Sequence, residues 1–181
     1  MSINGIYSNR GDYFQTLIAM MWAIRIIHNP DYEWLTIDSV EYEVDDVVIG
    51  KRDGSIIYCQ CKKNQTDFRA WSLSDLKPEI EKAFKLYQKD HNASIRFYSR
   101  VPFGDIGKIK EYAMTQPDQE EYEKNLPEKM KKTNELLSSQ LNGSNPYPFL
   151  QRINFTVAGH TGMKTVVVHL SLQPNIRSGI K

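Results

Sequence analysis

The stretch Asp46-Val47-Val48-Ile49-Gly50-Lys51-Arg52-Asp53-Gly54-Ser55-Ile56-Ile57-Tyr58-Cys59-Gln60-Cys61-Lys62 decides the fold. Asp46 to Gly50 is short and β-branched, and Ser55 to Lys63 returns as a second strand. Between them, Asp53-Gly54 supplies the positive-φ position that a hairpin turn wants. Side chains alternate along a strand, so Ile57, Cys59 and Cys61 share one face and Gln60 and Lys62 the other. A Gln and a Lys two apart on a central strand need partners, because burying either alone is costly. The turn decides which residue faces Gln60. A three-residue loop, Arg52 to Gly54, pairs Asp46 with Gln60. A two-residue loop pairs Val47 with Gln60 and leaves Asp46 a near neighbour. The first register gathers a carboxylate, an amide and an ammonium into one patch and is preferred, but the sequence leaves both open.

Outward from this hairpin, the chain alternates between helical and strand patterns. Tyr13, Phe14, Leu17, Ile18 and Met21 predict a deeply buried helix with Asp12 near its N-cap. Asn29-Pro30-Asp31 stops it. Leu35 to Val44 alternates as a strand. After the hairpin, Ser74 is the predicted cap of a helix with Leu76, Ile80, Ala83, Phe84 and Tyr87 as its apolar stripe; Pro78 is tolerated near its first turn. Ser94 to Val101 alternates again. The order α-β-β-β-α-β predicts an α/β fold, a mixed central sheet flanked by helices. Asp105 to Leu141 is polar and helical, divided by Pro117 and Pro127, and reads as a solvated excursion. Asn142 to Pro146 is a loop. Two more strands are expected, Ile153 to Val157 and Thr165 to Leu172, around Gly159-His160-Thr161-Gly162. The expected organisation is one domain over 1–174, with core 10–102, helical excursion 105–141 and C-terminal strands 153–172. Residues 175–181 read as a tail or linker, as of an N-terminal piece of something larger.

Bulk properties narrow the field. The 181 residues, 40% hydrophobic and 25% charged, suit one globular domain. The richest apolar run, Leu17 to Ile27, contains Arg25, so no membrane span is expected, and the N-terminus lacks a signal-peptide pattern. A cytoplasmic location is the expectation. Cys59 and Cys61 are too close for an ordinary disulfide, and no second Cys pair completes a zinc site. They read as small buried hydrophobes. The net charge is only +1, but residues 31–50 hold seven acids and no Lys or Arg, whereas 51–110 hold thirteen bases against seven acids. An acidic focus beside a basic stretch suits metal-assisted attack on a phosphodiester; chance fluctuation produces the same contrast about as often. No Gly-rich phosphate loop is present, which argues against nucleotide hydrolysis.

The patch has a chemical use. Mg²⁺ (or Mn²⁺) prefers oxygen ligands and keeps several waters, so few protein oxygens suffice. Asp46 offers a carboxylate, Gln60 an amide oxygen, and Cys61 its backbone carbonyl; Glu43 is a candidate for a further ligand or second-metal site. Lys62 is placed to orient a nucleophile and offset transition-state charge. Equally, a Gln–Lys–Asp trio serves as a satisfied polar network, and spacing alone favours that structural reading.

These residues resemble a known family. Asp46 followed by Gln60-Cys61-Lys62 looks like the D…(D/E/Q)-x-K signature of PD-(D/E)XK nucleases. The Gln-containing form resembles the double-strand DNA nuclease effector domains at the N-termini of bacterial anti-phage defence proteins of the cyclic-oligonucleotide (CBASS) and Avs types. Arg10-Gly11-Asp12-Tyr13-Phe14-Gln15 resembles the opening of that family's first helix. Glu43-Val44-Asp45-Asp46-Val47 resembles its approach to the catalytic hairpin, and Trp71-Ser72-Leu73-Ser74-Asp75-Leu76 the segment before its next helix. The match covers roughly the first hundred residues, and no one of these motifs is specific alone. It implies a restriction-endonuclease-like core, Asp46, Gln60 and Lys62 as catalytic residues, Gln15 and Glu43 in support, a magnesium or manganese cofactor, and double-stranded DNA as substrate. It also implies self-assembly or fusion to a sensor or oligomerisation domain. Gln60 departs from the commoner acid and lowers the negative charge of the site.

Lys63 and Arg69 flank the patch and are the favoured phosphate contacts, with Arg96 and Arg100 as further DNA-binding candidates; packing of those two arginines along the strand competes equally. Lys82, Lys85 and Lys89 form a polar helical row that reads as a solvated face, and His160 as an exposed residue. Three functions are in contention. The first is a metal-dependent endonuclease for duplex DNA, activated by assembly. The second is a nuclease-fold binding or scaffolding module without catalysis. The third is a structural partner domain acting through the polar helices at Asp118 to Gln140.

Overall fold

In the hairpin, strand β2 (Val47–Lys51) turns through Arg52, Asp53 and Gly54 into β3 (Ile56–Lys62). Lys51 N donates to Ser55 O at 2.9 Å, Gly54 N to Lys51 O at 3.0 Å, and Gly54 adopts φ +81°. This is the three-residue loop, closed by a left-handed glycine. The computed structural model describes residues 3–39, 41, 46–62 and 69–158, with 3–12 as backbone.

The other elements build outward from it. Helix α1 (Ile3–His28) precedes β1 (Tyr32–Ile37). After β3 come α2 (Lys77–Lys89), β4 (Ser94–Ser99), α3 (Gly104–Thr115), α4 (Gln119–Lys124), α5 (Glu128–Gln140), α6 (Pro146–Arg152) and β5 (Ile153–Val157). The five strands form one mixed open sheet in the order β1-β2-β3-β4-β5. The β1–β2 and β2–β3 pairs are antiparallel; the β3–β4 and β4–β5 pairs are parallel. The α/β class and the α-β-β-β-α-β order follow the pattern of apolar periodicity. Among the described residues no helix is long and apolar enough to cross a membrane.

Each face of the sheet is covered. Phe14, Ile18, Ala19 and Trp22 of α1 bury Val47, Ile49, Ile57, Cys59 and Tyr98 on one side. On the other, Val48, Tyr58, Ile95 and Phe97 meet Ile80, Ala83 and Phe84 of α2, Ile106 and Ile109 of α3, and Phe149 and Leu150 of α6. Trp34 of β1 lies against Gly50, its partner across the strands. A Cβ at Gly50 would come within 2.0 Å of that ring. Gly50→Ala is therefore expected to displace Trp34 and cost about 1–3 kcal/mol, read as a lower urea midpoint and a shifted tryptophan emission.

Several expectations need correction. Helix α1 starts at Ile3, so Asp12 lies inside it and is not its N-cap; the neighbouring Gly11 costs only about 1 kcal/mol in a helix and does not stop it. Strand β1 starts earlier than expected and ends at Ile37, before Asp38 with its φ of +52°; residues 40 and 42–45 of the expected strand lie outside the described residues. Helix α2 begins at Lys77 with Leu76, not Ser74, at its N-cap, after a turn over 73–76. The segment from 105 to 141 is not merely solvated. Ile106, Ile109, Ala113, Tyr122, Leu137 and Leu141 belong to the main core, because a few apolar residues at helical spacing suffice to dock otherwise polar helices. Helix α6 was hidden behind the loop signal of Asn145-Pro146. There Asn145 Oδ1 accepts from Tyr147 N at 2.8 Å and Pro146 takes the first helical position. The expected strand Thr165 to Leu172, His160 and the tail lie outside the described residues.

Candidate functional site

The observed register pairs Val47 with Cys59, so one step further sets Asp46 opposite Gln60. Here β2 has ended while β3 continues to Lys62 alongside β4. The Asp46 side chain fills the gap: Oδ2 accepts from Gln60 Nε2 and from Cys61 N, both at 2.5 Å. A carboxylate thus stands where the next ladder carbonyl would be. The N–H and C=O of one strand residue point to the same strand edge, so the Cys61 carbonyl also faces the Asp46 side. Gln15, from α1, donates to the Asp46 carbonyl at 2.9 Å and to Asp38 Oδ1 at 2.5 Å, tying the first helix to the end of the hairpin.

Lys62 shares the Gln60 face. Its ammonium pairs with Glu79 Oε1 in the first turn of α2 and lies 5.3 Å from the centre of the Trp71 ring. The two side chains are only 15% and 20% exposed. Trp71 is itself held: its Nε1 donates to Ser99 Oγ at 2.7 Å and its backbone N to Pro102 O at 2.8 Å. Glu79 and Trp71 escaped the sequence reading of the site. An acid in a first helical turn reads as a complement to the helix dipole, and nothing in the spacing shows that the first turn of α2 reaches Lys62.

The donors suit a hard divalent cation. Among the described residues no group of three or more His, Cys, Asp or Glu side chains could hold a metal ion. Among the described residues the oxygens that could serve are the Asp46 carboxylate, the Gln60 amide oxygen and the Cys61 carbonyl, a set of the kind Mg²⁺ or Mn²⁺ takes and zinc does not favour. Gln60 turns its amide nitrogen toward Asp46; a half-turn of the amide offers Oε1 to the same space. Glu43 and Lys63 lie outside the described residues.

The expected DNA contacts divide. Arg69 makes a two-pronged pair with Asp75, at 2.7 and 3.0 Å, and is half exposed. Arg96 lies on the opposite face from Gln60 and Lys62, its guanidinium 5.2 Å from the Trp22 ring and its Nε buried without a hydrogen-bond partner. Arg100, just past β4, stacks 5.1 Å from the Phe14 ring of α1. Each of these two guanidiniums thus lies over an aromatic ring of α1. The structure brings Asp46, Gln60, Cys61 and Gln15 together, places Lys62 beside them, and sets Arg96 apart.

Cys59 is buried as expected and Cys61 only partly so, and both thiols are chemically quiet. Burial pushes Cys59 up to about 12. Burial, then the negative charge of Asp46, raises Cys61 as well. Both are protonated at neutral pH, and only thiolates are good nucleophiles. Iodoacetamide at pH 8 is expected to leave both unmodified in the folded protein and to alkylate both in denaturant, as read by mass spectrometry. Fast native labelling would contradict this burial.

Compared with family models, with curated proteins and with solved structures, the chain matches none.

Proposed function

We propose that this protein is a metal-dependent endonuclease domain acting on double-stranded DNA. The observation that carries the reading is the Asp46 carboxylate facing Gln60 across the hairpin, with Lys62 two residues on along the same face. The resemblance to nuclease effector domains supplies the substrate class and the link to anti-phage defence. Asp46 and Gln60, with the Cys61 carbonyl, would hold the divalent ion, which would supply polarisation of a phosphate oxygen and activation of a water. The chain's own residues do the rest. The hairpin register sets Asp46, one residue before β2, opposite Gln60 on β3, and the two side chains would supply the oxygens. Gln15 holds the Asp46 backbone. Lys62 brings a positive charge to the developing charge on the phosphate, where a preorganised donor is most effective. With a net charge of +1, one copy grips DNA weakly. Assembly, through self-association or a fused oligomerisation domain, multiplies that grip and explains a need for activation.

One observation favours a second reading, a nuclease-fold module without catalysis. Asp46 Oδ2 already serves the backbone by receiving Cys61 N–H, a purely structural task. Plasmid cleavage separates the two. The protein, concentrated and incubated with Mg²⁺ or Mn²⁺, should nick and linearise supercoiled DNA, and EDTA or Asp46→Asn should stop it. Cleavage that persists without metal or with Asp46→Asn sinks the nuclease proposal. DNA retention at low salt without cleavage supports the inactive module.

A further inference from the structure

Lys62 carries a flexible four-carbon stem, and a lysine so built holds no fixed position unless its surroundings impose one. Two groups impose it here. The Trp71 ring lies along one side at 5.3 Å, and Glu79 Oε1 receives the ammonium. Trp71 cannot drift: its indole is bonded to Ser99, the residue that pairs with Lys62 across β3 and β4. Behind it, Gly104 comes so close that a Cβ there would meet the Trp71 carbonyl at 2.6 Å. Glu79 is an odd choice for stability. Its Oε2 is buried with no hydrogen-bond partner, which is costly for a carboxylate. Apolar replacement of such enclosed ion pairs is often neutral or stabilising. A pair with that cost is explained by the geometry it enforces.

We propose that Glu79 is a positioning residue that, with Trp71, clamps the Lys62 ammonium at the Asp46 end of the sheet. This rests on the nuclease reading for its catalytic half; the clamp itself stands on the contacts alone. Two readouts test the halves separately. In Glu79→Gln, which keeps size and shape, labelling of Lys62 by an amine-reactive ester, followed by mass spectrometry, should rise severalfold relative to exposed lysines such as Lys82. Plasmid cleavage by the same variant should fall about tenfold to a hundredfold in kcat, with KM within about twofold, because a displaced ammonium affects the transition state more than binding. Glu79→Asp, which keeps the charge on a shorter arm, should recover part of the rate. Thermal melting of each variant shows that the fold persists. Unchanged labelling of Lys62 overturns the clamp whatever the activity. Raised labelling with unchanged kcat overturns the positioning role, and a faster Glu79→Gln would show that Glu79 restrains Lys62. If wild type shows no metal-dependent cleavage, the nuclease reading falls, the catalytic half falls with it, and labelling alone decides the clamp.

Discussion

Lys62→Met is expected, on the proposed nuclease function, to lower metal-dependent DNA cleavage by about 10²- to 10³-fold, the usual cost of removing one preorganised charge-stabilising donor from an active site. Methionine keeps an unbranched stem of similar length against Trp71 and deletes only the ammonium. The variant has a second consequence. It leaves the Glu79 carboxylate, 20% exposed, without its cation. Such an orphaned group costs about 1–3 kcal/mol of folding stability. A double variant separates the effects. Adding Glu79→Leu removes the stranded carboxylate and should restore the urea midpoint, while cleavage stays low. A double variant that regained cleavage would place the loss at Glu79, not at the missing ammonium. Initial rates of supercoiled plasmid loss, beside urea unfolding, supply both measurements.

Phe97→Ala should produce the largest fall in stability, about 4 kcal/mol. Phe97 is fully buried on β4, a strand paired with β3 on one side and β5 on the other. Its ring meets Phe155 at 5.3 Å and Phe103 at 6.5 Å between centroids. Truncation removes those contacts and leaves a cavity over the face of the sheet that packs against α2, α3 and α6, where the backbone ladders on both sides of β4 keep the sheet from closing over it. For a chain of this size the melting temperature should drop by roughly 8–16 °C. Phe97→Leu, which refills most of the volume, should cost less than about 1.5 kcal/mol. An alanine variant that loses under about 1 kcal/mol would contradict the described core.

How legible was this in the sequence? The hairpin was, because Asp46 to Gly50 is short and β-branched and Ile57, Cys59 and Cys61 alternate against Gln60 and Lys62, and period-2 alternation is a direct statement about faces. The register was half legible: Asp53-Gly54 announced a turn, but loop length follows from the φ +81° of Gly54, which a sequence does not state. Helix α1 was legible by its apolar spacing, though its start was not, since Gly11 lowers helix propensity without ending a helix. The burial of Tyr122 and Leu137 was not legible, because isolated apolar residues among charges give little amphipathic signal until α3 and α6 supply something to dock against. At the site, Asp46, Gln60 and Lys62 share one local hairpin, so short-range rules reached them. Glu79 lies seventeen residues from Lys62 on another element, and only the folded chain brings the first turn of α2 to the end of β3. Arg96 shows the converse: alternation put it on the face away from Gln60, and a basic residue near a site is no sign that it faces the site.

The three-residue loop has a consequence for how this chain can change over generations of mutation. Asp46 faces Gln60 by the same parity that buries Val47 and Ile49 beside Ile57 and Cys59. A slip by one position would turn both sets over together, taking the apolar row away from α1 and bringing polar side chains beneath that helix as it broke the facing pair. Drift in pairing is therefore filtered by foldability before activity is ever at stake. Any descendant that still folds this hairpin inherits the facing pair of positions, and what it does with them depends only on which side chains occupy 46, 60 and 62.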